Sequence, residues 1–248
     1  SAALKSDVVN MGKITADTVE VHGAHIRFLN AADVKTSGGT LSPVAMYTAP
    51  AASSATDPNG GYAHIGYRGT APTNYTSGTT GVSPEYYQLV ANKAELDNID
   101  TDTTTLAGKY MLEQDIDLGG AAHTPIGGNS APGAFTGKFD GNFFRVQNFT
   151  VSGVNSAGLF GEVSGGRIEN LGVSQARITG KTDSSHQYAG GIVGHTAGTS
   201  ILKNVYVTET ATVAGRKGRY GGIVGSTGST SFTGSDHTII DGAYSKEI

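Results

Sequence analysis

The sequence predicts an all-β chain that coils into a right-handed parallel β-helix with a loop-rich insertion. Three observations predict it: a glycine-bounded phrase that recurs, an asparagine-centred phrase that recurs beside it, and short alternating apolar runs with few helix signals. Repeat periods of about 20 to 50 residues indicate stacked units, none of which buries its apolar face alone. Repetition of this kind favours a solenoid over a sandwich or a barrel.

The glycine-bounded phrase occurs three times, as GLFG, GIVG and GIVG. The copies begin at Gly158, Gly191 and Gly222, 33 and then 31 residues apart. This small change in spacing predicts core strands that keep their register while the turns between them vary in length. Glycine is expected where the chain turns with positive φ, or where no side chain fits.

The second phrase has an apolar residue, any residue, Asn, an apolar residue, any residue and Val. Its asparagines are Asn148, Asn170 and Asn204, and Gly242 takes the same place in a degraded fourth copy. Coils of a β-helix lie about 4.8 Å apart, so like residues stack on like. We expect these asparagines to form one side-chain ladder that bonds backbone groups left unpaired at a corner.

Composition excludes several classes of function. Glycine makes up 37 of 248 residues, about twice the usual share of ~7%, and cysteine is absent. The absence of cysteine rules out disulfides, thiolate metal sites and a cysteine nucleophile. The net charge of −4 does not indicate nucleic acid as a partner, and no apolar run is long enough to cross a membrane.

The chain divides by pattern into coils at 1–45, an insertion at 46–105 and further coils at 106–248. The insertion is rich in Ala, Thr, Gly and Tyr, and one or two turns of helix are expected between Tyr86 and Asp100. Long insertions in repeat proteins often carry the binding face. The candidate contact residues here are Tyr62, Tyr67, Arg68 and Tyr75. The alternative is a loop that covers the coils, with its tyrosines packed against them.

Most of the 106–248 segment resembles the GLUG-motif repeat region of large bacterial surface proteins, which include adhesins and some IgA-specific metallopeptidases. The resemblance rests on DIDL, PIG, FTGKFDGN and GLFG in that order, and spans Gly108 to about Tyr244. The run from Val8 to Thr36 is similar to the filamentous-haemagglutinin-type coils of two-partner-secretion exoproteins, through Asn10-x-Gly-x-Ile-x-Ala16. Together these resemblances imply a fragment of a secreted adhesin that crosses the outer membrane through a partner pore.

No motif for catalysis or metal binding is complete. The histidines are His22, His25, His64, His123, His186, His195 and His237, and none begins the H-E-x-x-H pattern of a zinc peptidase. A polysaccharide-cleaving site needs two carboxylates that face each other, for which Asp115, Asp117 and Asp140 are the candidates. Their Gly-flanked sequences favour a different interpretation, in which they accept hydrogen bonds from turn N–H groups.

Two surface features remain. Arg216, Lys217 and Arg219 share one turn and would suit an anionic glycan; the alternative is a solvated loop that keeps the fibre soluble. Asn74 lies in a glycosylation sequon within the insertion. Asn148 lies in another, but its expected place in the ladder argues against a glycan there.

We therefore expect a secreted or cell-surface adhesin segment that binds a host-cell or bacterial glycan or protein. Contact is expected through the insertion and the turns at 181–188 and 215–219. The chain is expected to be monomeric and non-enzymatic, with no cofactor, no metal, no nucleic-acid partner and no membrane insertion. Two alternatives stay open: a passive stalk, and a carbohydrate-active β-helix enzyme.

Overall fold

The computed structural model describes thirteen stretches of the chain: 2–5, 8–11, 14–16, 19–22, 25–28, 34–36, 63–68, 84–128, 131–181, 187–208, 212–214, 218–228 and 238–245. The chain divides into two compact units, Ser1–Leu89 and Val90–Ile248.

The first unit consists of short parallel strands in repeated order. They are β1 (Ala2–Lys5), β2 (Val8–Met11), β3 (Ile14–Ala16), β4 (Val19–His22), β5 (His25–Phe28), β6 (Val34–Thr36), β7 (Ala63–Tyr67) and β8 (Pro84–Val90), the last of which crosses the unit boundary. Strands β1, β2 and β3 pair with β4, β5 and β6 respectively, so one three-strand coil stacks on the next. Strand β7 then pairs with β5, and β8 with β7.

The predicted insertion at 46–105 is therefore not wholly outside the coils. Strands β7 and β8 fall within it, and both extend a column of paired strands that begins in the 1–45 segment. Tyr86, expected to begin a helical run, lies within β8 instead. The helix starts only at Lys93, after Asn92 has capped it.

The second unit contains seventeen described strands. They are β9 (Lys109–Leu112), β10 (Ile116–Ala122), β11 (Lys138–Asp140), β12 (Arg145–Val154), β13 (Ser156–Ala157), β14 (Phe160–Ser164), β15 (Arg167–Glu169), β16 (Gly172–Gly180), β17 (Tyr188–Gly190), β18 (Val193–Ala197), β19 (Ser200–Lys203), β20 (Tyr206–Thr208), β21 (Thr212–Ala214), β22 (Arg219–Gly221), β23 (Val224–Thr227), β24 (Thr238–Asp241) and β25 (Tyr244–Ser245).

These strands form three columns, and every pair in them is parallel. In the first column, β9 pairs with β11, which is followed by β15, β19 and β24. The second column has the order β10-β12-β16-β20-β25, and β21 also pairs with β16. The third column consists of two three-stranded sheets, β13-β17-β22 and β14-β18-β23. The described residues complete three coils. The predicted fold class, an all-β parallel β-helix, is confirmed.

The interior of the second unit is a set of apolar ladders. Phe139, Ile168 and Leu202 are successive partners in the first column and are fully buried. In the third column, the Phe160 ring lies 5.2 Å from Phe135 and 5.3 Å from Phe139 between ring centroids. Each such side chain contributes roughly 1.5–3 kcal/mol of burial free energy, so stacking like on like supplies most of the driving force.

A short helical segment precedes the first coil of this unit. It comprises α1 (Lys93–Asp97), a 3-10 turn (Asn98–Asp100) and α2 (Thr103–Leu106). Asn92 caps α1 by accepting from Glu95 N at 3.0 Å, and Asp102 forms a capping box with Thr105. The apolar residues of the segment, Leu96, Ile99 and Leu106, are buried in the same core as the strands. The predicted turn or two of helix is thus present.

The repeated glycines are explained by close approach between coils. A Cβ on Gly161 would lie 2.2 Å from Gly127 O, and one on Gly194 would lie 2.6 Å from Ala157 N. Gly225 is equally tight, with 2.5 Å to Ala189 N. None of the three has positive φ. The GLFG and GIVG phrases therefore recur because each coil needs a position without a side chain at the same height.

Asn170 and Asn204 stack as neighbours in one ladder. Both have φ of 51°, and Asn204 Nδ2 donates to Asn170 Oδ1 at 3.1 Å. Asn170 Nδ2 in turn donates to Asp140 Oδ1 at 3.0 Å, so the buried Asp140 carboxylate lies next to Asn170 in the ladder. Gly242, with φ of 63°, takes the next place beyond Asn204, as a Cβ there would meet Asn204 Oδ1 at 2.7 Å.

Asn148 lies outside this ladder, which corrects the expected set of three. Asn170 and Asn204 each follow a three- or four-residue strand, whereas Asn148 sits inside the ten-residue β12. Pairing between β12 and β16 places it opposite Gln175, which also has a φ of 51°. Asn148 Nδ2 donates to Asp117 Oδ1 at 3.0 Å. The similar phrases thus occupy two different bends.

Replacing Asn170 tests the ladder. Asn170→Ala removes two amide hydrogen bonds and forces alanine into positive φ, so unfolding free energy should fall by about 2–4 kcal/mol. Asn170→Gly loses the same bonds without the φ penalty and should cost about 1–2 kcal/mol less. Urea denaturation of both variants measures the difference. Equal stability of the two variants would show that the left-handed backbone is not a constraint there.

Replacing Gly194 tests the close approach of coils. Gly194→Ala places a methyl group against backbone atoms of the neighbouring coil, so unfolding free energy should fall by about 1–3 kcal/mol or more. The matched control is Gly165→Asn, because no atom lies within 4 Å of that Cβ and asparagine tolerates its positive φ. The control should change stability by about 0.5 kcal/mol or less. A well-tolerated Gly194→Ala would refute the steric account of the motif.

Candidate functional site

A cleft of about 290 Å³ opens on the flank of the second unit. It lies where β12 gives way to β13, beside the 3-10 turn and the turn at 124–128. Its polar lining residues are Asp100, Thr124, Asn155, Ser156 and Lys181, and its apolar ones are Pro125, Ala131, Pro132 and Val154. The cleft therefore joins segments that are far apart in sequence.

Asp100 is placed in the cleft by the helical segment. It ends the 3-10 turn directly after Ile99, which is anchored in the apolar core. Asp100 Oδ1 accepts a hydrogen bond from Gly127 N at 2.9 Å. Burial raises the pKa of Asp100, and the bond from Gly127 opposes that rise. The carboxylate is thus partly desolvated and accepts from one backbone N–H among the described residues.

Asn155 and Lys181 enter the cleft from two stacked coils. Asn155 lies between β12 and β13, and its backbone carbonyl accepts from Tyr188 N at 2.8 Å. Its side-chain Oδ1 is buried and has no hydrogen-bond partner among the described residues. Lys181 follows β16, and its backbone N donates to Val154 O at 3.2 Å. Both residues thus lie at strand ends on the lining of the cleft.

Residues that can donate or accept hydrogen bonds line the cleft, together with apolar residues. Its lining residues include one carboxylic acid, Asp100, one lysine, Lys181, and two residues with hydroxyl groups, Thr124 and Ser156. Among its lining residues Asp100 is the one carboxylate, so it lacks the facing pair that glycoside hydrolysis uses. This arrangement suits binding of a small polar molecule.

The acidic candidates from the sequence take structural roles. Asp115 pairs with Arg145, with 3.2 Å between Oδ2 and Nε, on the exposed face. Asp117 Oδ1 accepts from Gly119 N at 2.8 Å, and this bond, followed by that from Asn148, lowers the pKa of Asp117. Asp140 is fully buried and accepts from the backbone N of Asn142 at 2.8 Å. The turn-bond interpretation fits Asp117 and Asp140.

A cluster that sequence reasoning missed lies on the third column. Glu162, His195 and Ser226 are successive register partners on β14, β18 and β23. All three follow the second glycine of the repeated phrase, so the repeat itself carried the signal. His195 Nε2 lies 3.0 Å from Gly228 O, and its ring stacks on Tyr188 with centroids 4.6 Å apart.

This cluster does not form a nucleophilic triad. His195 Nε2 is directed at Gly228 O and not at the Ser226 hydroxyl. Ser226 Oγ accepts instead from Arg219 Nη1 at 3.0 Å. On the other side of the ring, Nδ1 lies 3.9 Å from Glu162 Oε1, an ion-pair distance. The Glu162 carboxylate raises the pKa of His195, and burial opposes it.

The predicted contact residues are only partly described. Tyr67 and Arg68 are half-exposed at the end of β7 in the first unit. Arg219 is exposed in the second unit, but its guanidinium is bonded to Ser226. The remaining candidates lie outside the described residues: Tyr62, Asn74, Tyr75, Arg216 and Lys217, together with most of the 181–188 turn. Their roles stay predictions.

The described residues contain neither a metal-binding cluster nor a membrane-spanning helix. No group of three or more His, Asp or Glu side chains there is arranged to hold a metal ion. No helix in the same part of the chain has the length and apolar character required to span a bilayer.

Part of the chain is similar in sequence to a known protein. Over 175 residues, 64% of this chain, the sequence is 36% identical to Halomucin of Haloquadratum walsbyi (strain DSM 16790 / HBSQ001). The chain spans only 2% of the length of that protein, which is therefore several thousand residues long. No family model matches the chain, and no solved structure matches it. The GLUG-type and haemagglutinin-type resemblances stay predictions.

The pH dependence of stability should distinguish His195 from His123, both of which are buried. Glu162 raises the folded-state pKa of His195, so its stabilisation is present below the unfolded pKa and is lost as pH rises through the folded value. His195→Gln should therefore destabilise the chain more at about pH 5.5 than at about pH 9.

His123 is the matched comparison, because its pKa is shifted in the opposite direction to that of His195. Burial lowers the pKa of His123, so its neutral form is favoured in the fold and stability falls as pH drops below the unfolded pKa. His123→Gln should weaken this loss on acidification. Urea midpoints measured across the pH range test both variants, and parallel profiles for the two would contradict the assigned shifts.

Proposed function

We propose that the chain is a segment of a very long exported fibre protein at the cell surface. The observation that carries this proposal is the likeness to Halomucin, because 64% of this chain aligns with only 2% of that protein. A solenoid suits such a length, since each added coil extends the body by about 4.8 Å and contacts only its neighbours. The segment would supply rigid length by stacking.

The finer role that we propose is adhesion, with the segment binding a surface glycan or protein. The flank cleft supports this role, because it is lined by polar and apolar residues, among them the partly desolvated Asp100. Binding without catalysis accords with its single carboxylate. The same resemblances that suggest adhesion imply secretion through a partner pore.

A passive stalk is the second candidate. One observation favours it: several polar side chains of the coils are bonded to the coil above or below, as Asn170 is to Asp140 and Asn204. Arg219, a predicted contact residue, is also held by a neighbour in its own coil. A stalk and an adhesin differ in whether the flank cleft binds a ligand.

Surface location is tested by labelling intact cells of the source organism. Antibodies raised against the purified chain should label the exterior of unpermeabilised cells, with gold particles at or beyond the envelope in electron micrographs. An antibody against a cytosolic protein of the same cells is the control and should label only after permeabilisation. Labelling by both antibodies only after permeabilisation would contradict an exported fibre.

A further inference from the structure

We propose that Asn148 carries an N-linked saccharide on the outer face of the second unit. Asn148, Phe149 and Thr150 form the acceptor pattern Asn-x-Ser/Thr, whose asparagine amide is glycosylated in exported proteins. The inference deepens the surface function proposed above and rests on it, because the modification belongs to exported chains. Three features of the structure support it: the direction in which Asn148 faces, the space around it and the hydrogen bond of its amide.

Asn148 lies at a bend of β12 that turns two consecutive side chains outward. Val146 and Phe149 are both buried and lie three positions apart, whereas strict alternation in a strand separates inward residues by two. Gln147 and Asn148 occupy the two positions between them, are half-buried and form their hydrogen bonds on the exposed face. Asn170, by contrast, is buried in its ladder. The bend at Asn148 therefore presents its side chain to the outside, and the objection that a glycan would disrupt a buried ladder does not apply.

The neighbouring coils leave space for a sugar at this bend. On one side, Gly119 and Gly120 both have positive φ, and a Cβ on Gly120 would lie 3.7 Å from Asn148 Oδ1. No described atom lies within 4 Å of a Cβ on Gly119. On the other side the opposite residue is Gln175, which is exposed. Because two glycines contribute no side chain and Gln175 faces solvent, a sugar ring on Asn148 Nδ2 extends outward without displacing the core.

The hydrogen bond to Asp117 is compatible with the modification. A side-chain amide has two N–H groups, and Asn148 Nδ2 donates to Asp117 Oδ1 at 3.0 Å. An N-linked sugar replaces one amide hydrogen and leaves the other, so one N–H remains for Asp117. The same carboxylate oxygen accepts from Gly119 N at 2.8 Å, which fixes its position. The bend thus holds the glycosylated amide in a defined direction.

The attachment reaction requires an activated sugar as its co-reactant. The donor is a glycosyl diphosphate, in which C1 of the sugar is bonded to a phosphate oxygen. Asn148 Nδ2 attacks C1, the C1–O bond breaks, and the diphosphate leaves with the bonding electrons. The proton lost from Nδ2 passes to a base of the transferring enzyme and then to water. Nothing is oxidised or reduced, and the product is an amide-linked sugar that increases the mass of the chain.

The test is mass spectrometry of the chain purified from its source organism. Trypsin cleaves after Arg145 and Arg167, so peptide 146–167 contains Asn148 and no second acceptor pattern. Asn74 falls in the separate peptide 69–93. Peptide 146–167 should be heavier by one or more sugar residues, with fragment ions that place the sugar on Asn148. Recovery of this peptide in its unmodified form alone overturns the inference, whether or not the peptide of Asn74 is modified.

Two variants of Thr150, produced in the same organism, separate the acceptor pattern from the fold. Thr150→Ser keeps the hydroxyl group of the pattern and should keep the sugar, whereas Thr150→Val removes the hydroxyl and should abolish the modification of Asn148. Circular dichroism verifies that both variants are folded. A sugar that persists on Asn148 in Thr150→Val overturns the assigned acceptor pattern. If Thr150→Val does not fold, the mass of the wild-type peptide decides the matter alone.

Failure of this site is distinguishable from failure of the surface function. An unmodified chain that antibodies label on unpermeabilised cells contradicts the glycan and leaves the surface function intact. A chain that is labelled only after permeabilisation contradicts the surface function. Where the sugar is found, growth with a sublethal dose of bacitracin, which blocks the recycling of lipid diphosphates, identifies the donor. Lower occupancy of Asn148 then indicates a lipid-linked donor and unchanged occupancy a nucleotide-linked one, and both results support the site.

Discussion

Parallel stacking of coils is the constraint on which the rest of this structure depends. Each coil lies about 4.8 Å from the next, so every residue of a strand meets the residue at the same height above and below. An apolar residue is stable there only on an apolar neighbour, as Phe139 is on Ile168. Stacked positions therefore favour the same type of residue, and this preference appears in the sequence as a repeat.

The same constraint explains the polar columns. A bend in the coil requires positive φ, which asparagine and glycine adopt most readily. Asn170 and Asn204 meet this requirement, and stacking turns their amides into donors and acceptors for each other. Stacked titratable residues also influence each other's pKa, as the Glu162 carboxylate raises the pKa of His195. Backbone geometry thus dictates which polar groups meet between neighbouring coils.

Much of the fold could be predicted because stacked coils produce repeated phrases in the sequence. The glycine phrases and the shared positions of Asn170 and Asn204 were sufficient to predict a parallel β-helix. Asn148 lies in a different column although its phrase has the same residue types, because its place depends on the length of β12. Sequence similarity between phrases does not encode how far each strand continues before the chain bends.

The cleft could not be predicted in the same way. Asp100, Asn155 and Lys181 belong to a helical turn and two strand ends, and none of them takes part in a repeated phrase. They lie together where the 3-10 turn that precedes the first coil borders the break between β12 and β13. Interruptions of the repeat are where a solenoid departs from pure stacking and gains a concave surface. The cluster of Glu162, His195 and Ser226 was different, because it follows the repeated phrase and alignment of its copies identifies it.

The most direct test of the account is disulfide cross-linking between neighbouring coils, for which the cysteine-free chain gives a clean background. Ser152 on β12 and Thr179 on β16 are exposed register partners, whereas Ser152 and Arg177 are two positions out of register. The Ser152→Cys/Thr179→Cys pair lies within the usual Cα separation of a disulfide, about 4.4–6.8 Å, and should oxidise readily, while Ser152→Cys/Arg177→Cys should not. Equal oxidation of the two pairs, or preference for the second, would contradict the stacked parallel register on which the fold, the ladders and the cleft depend.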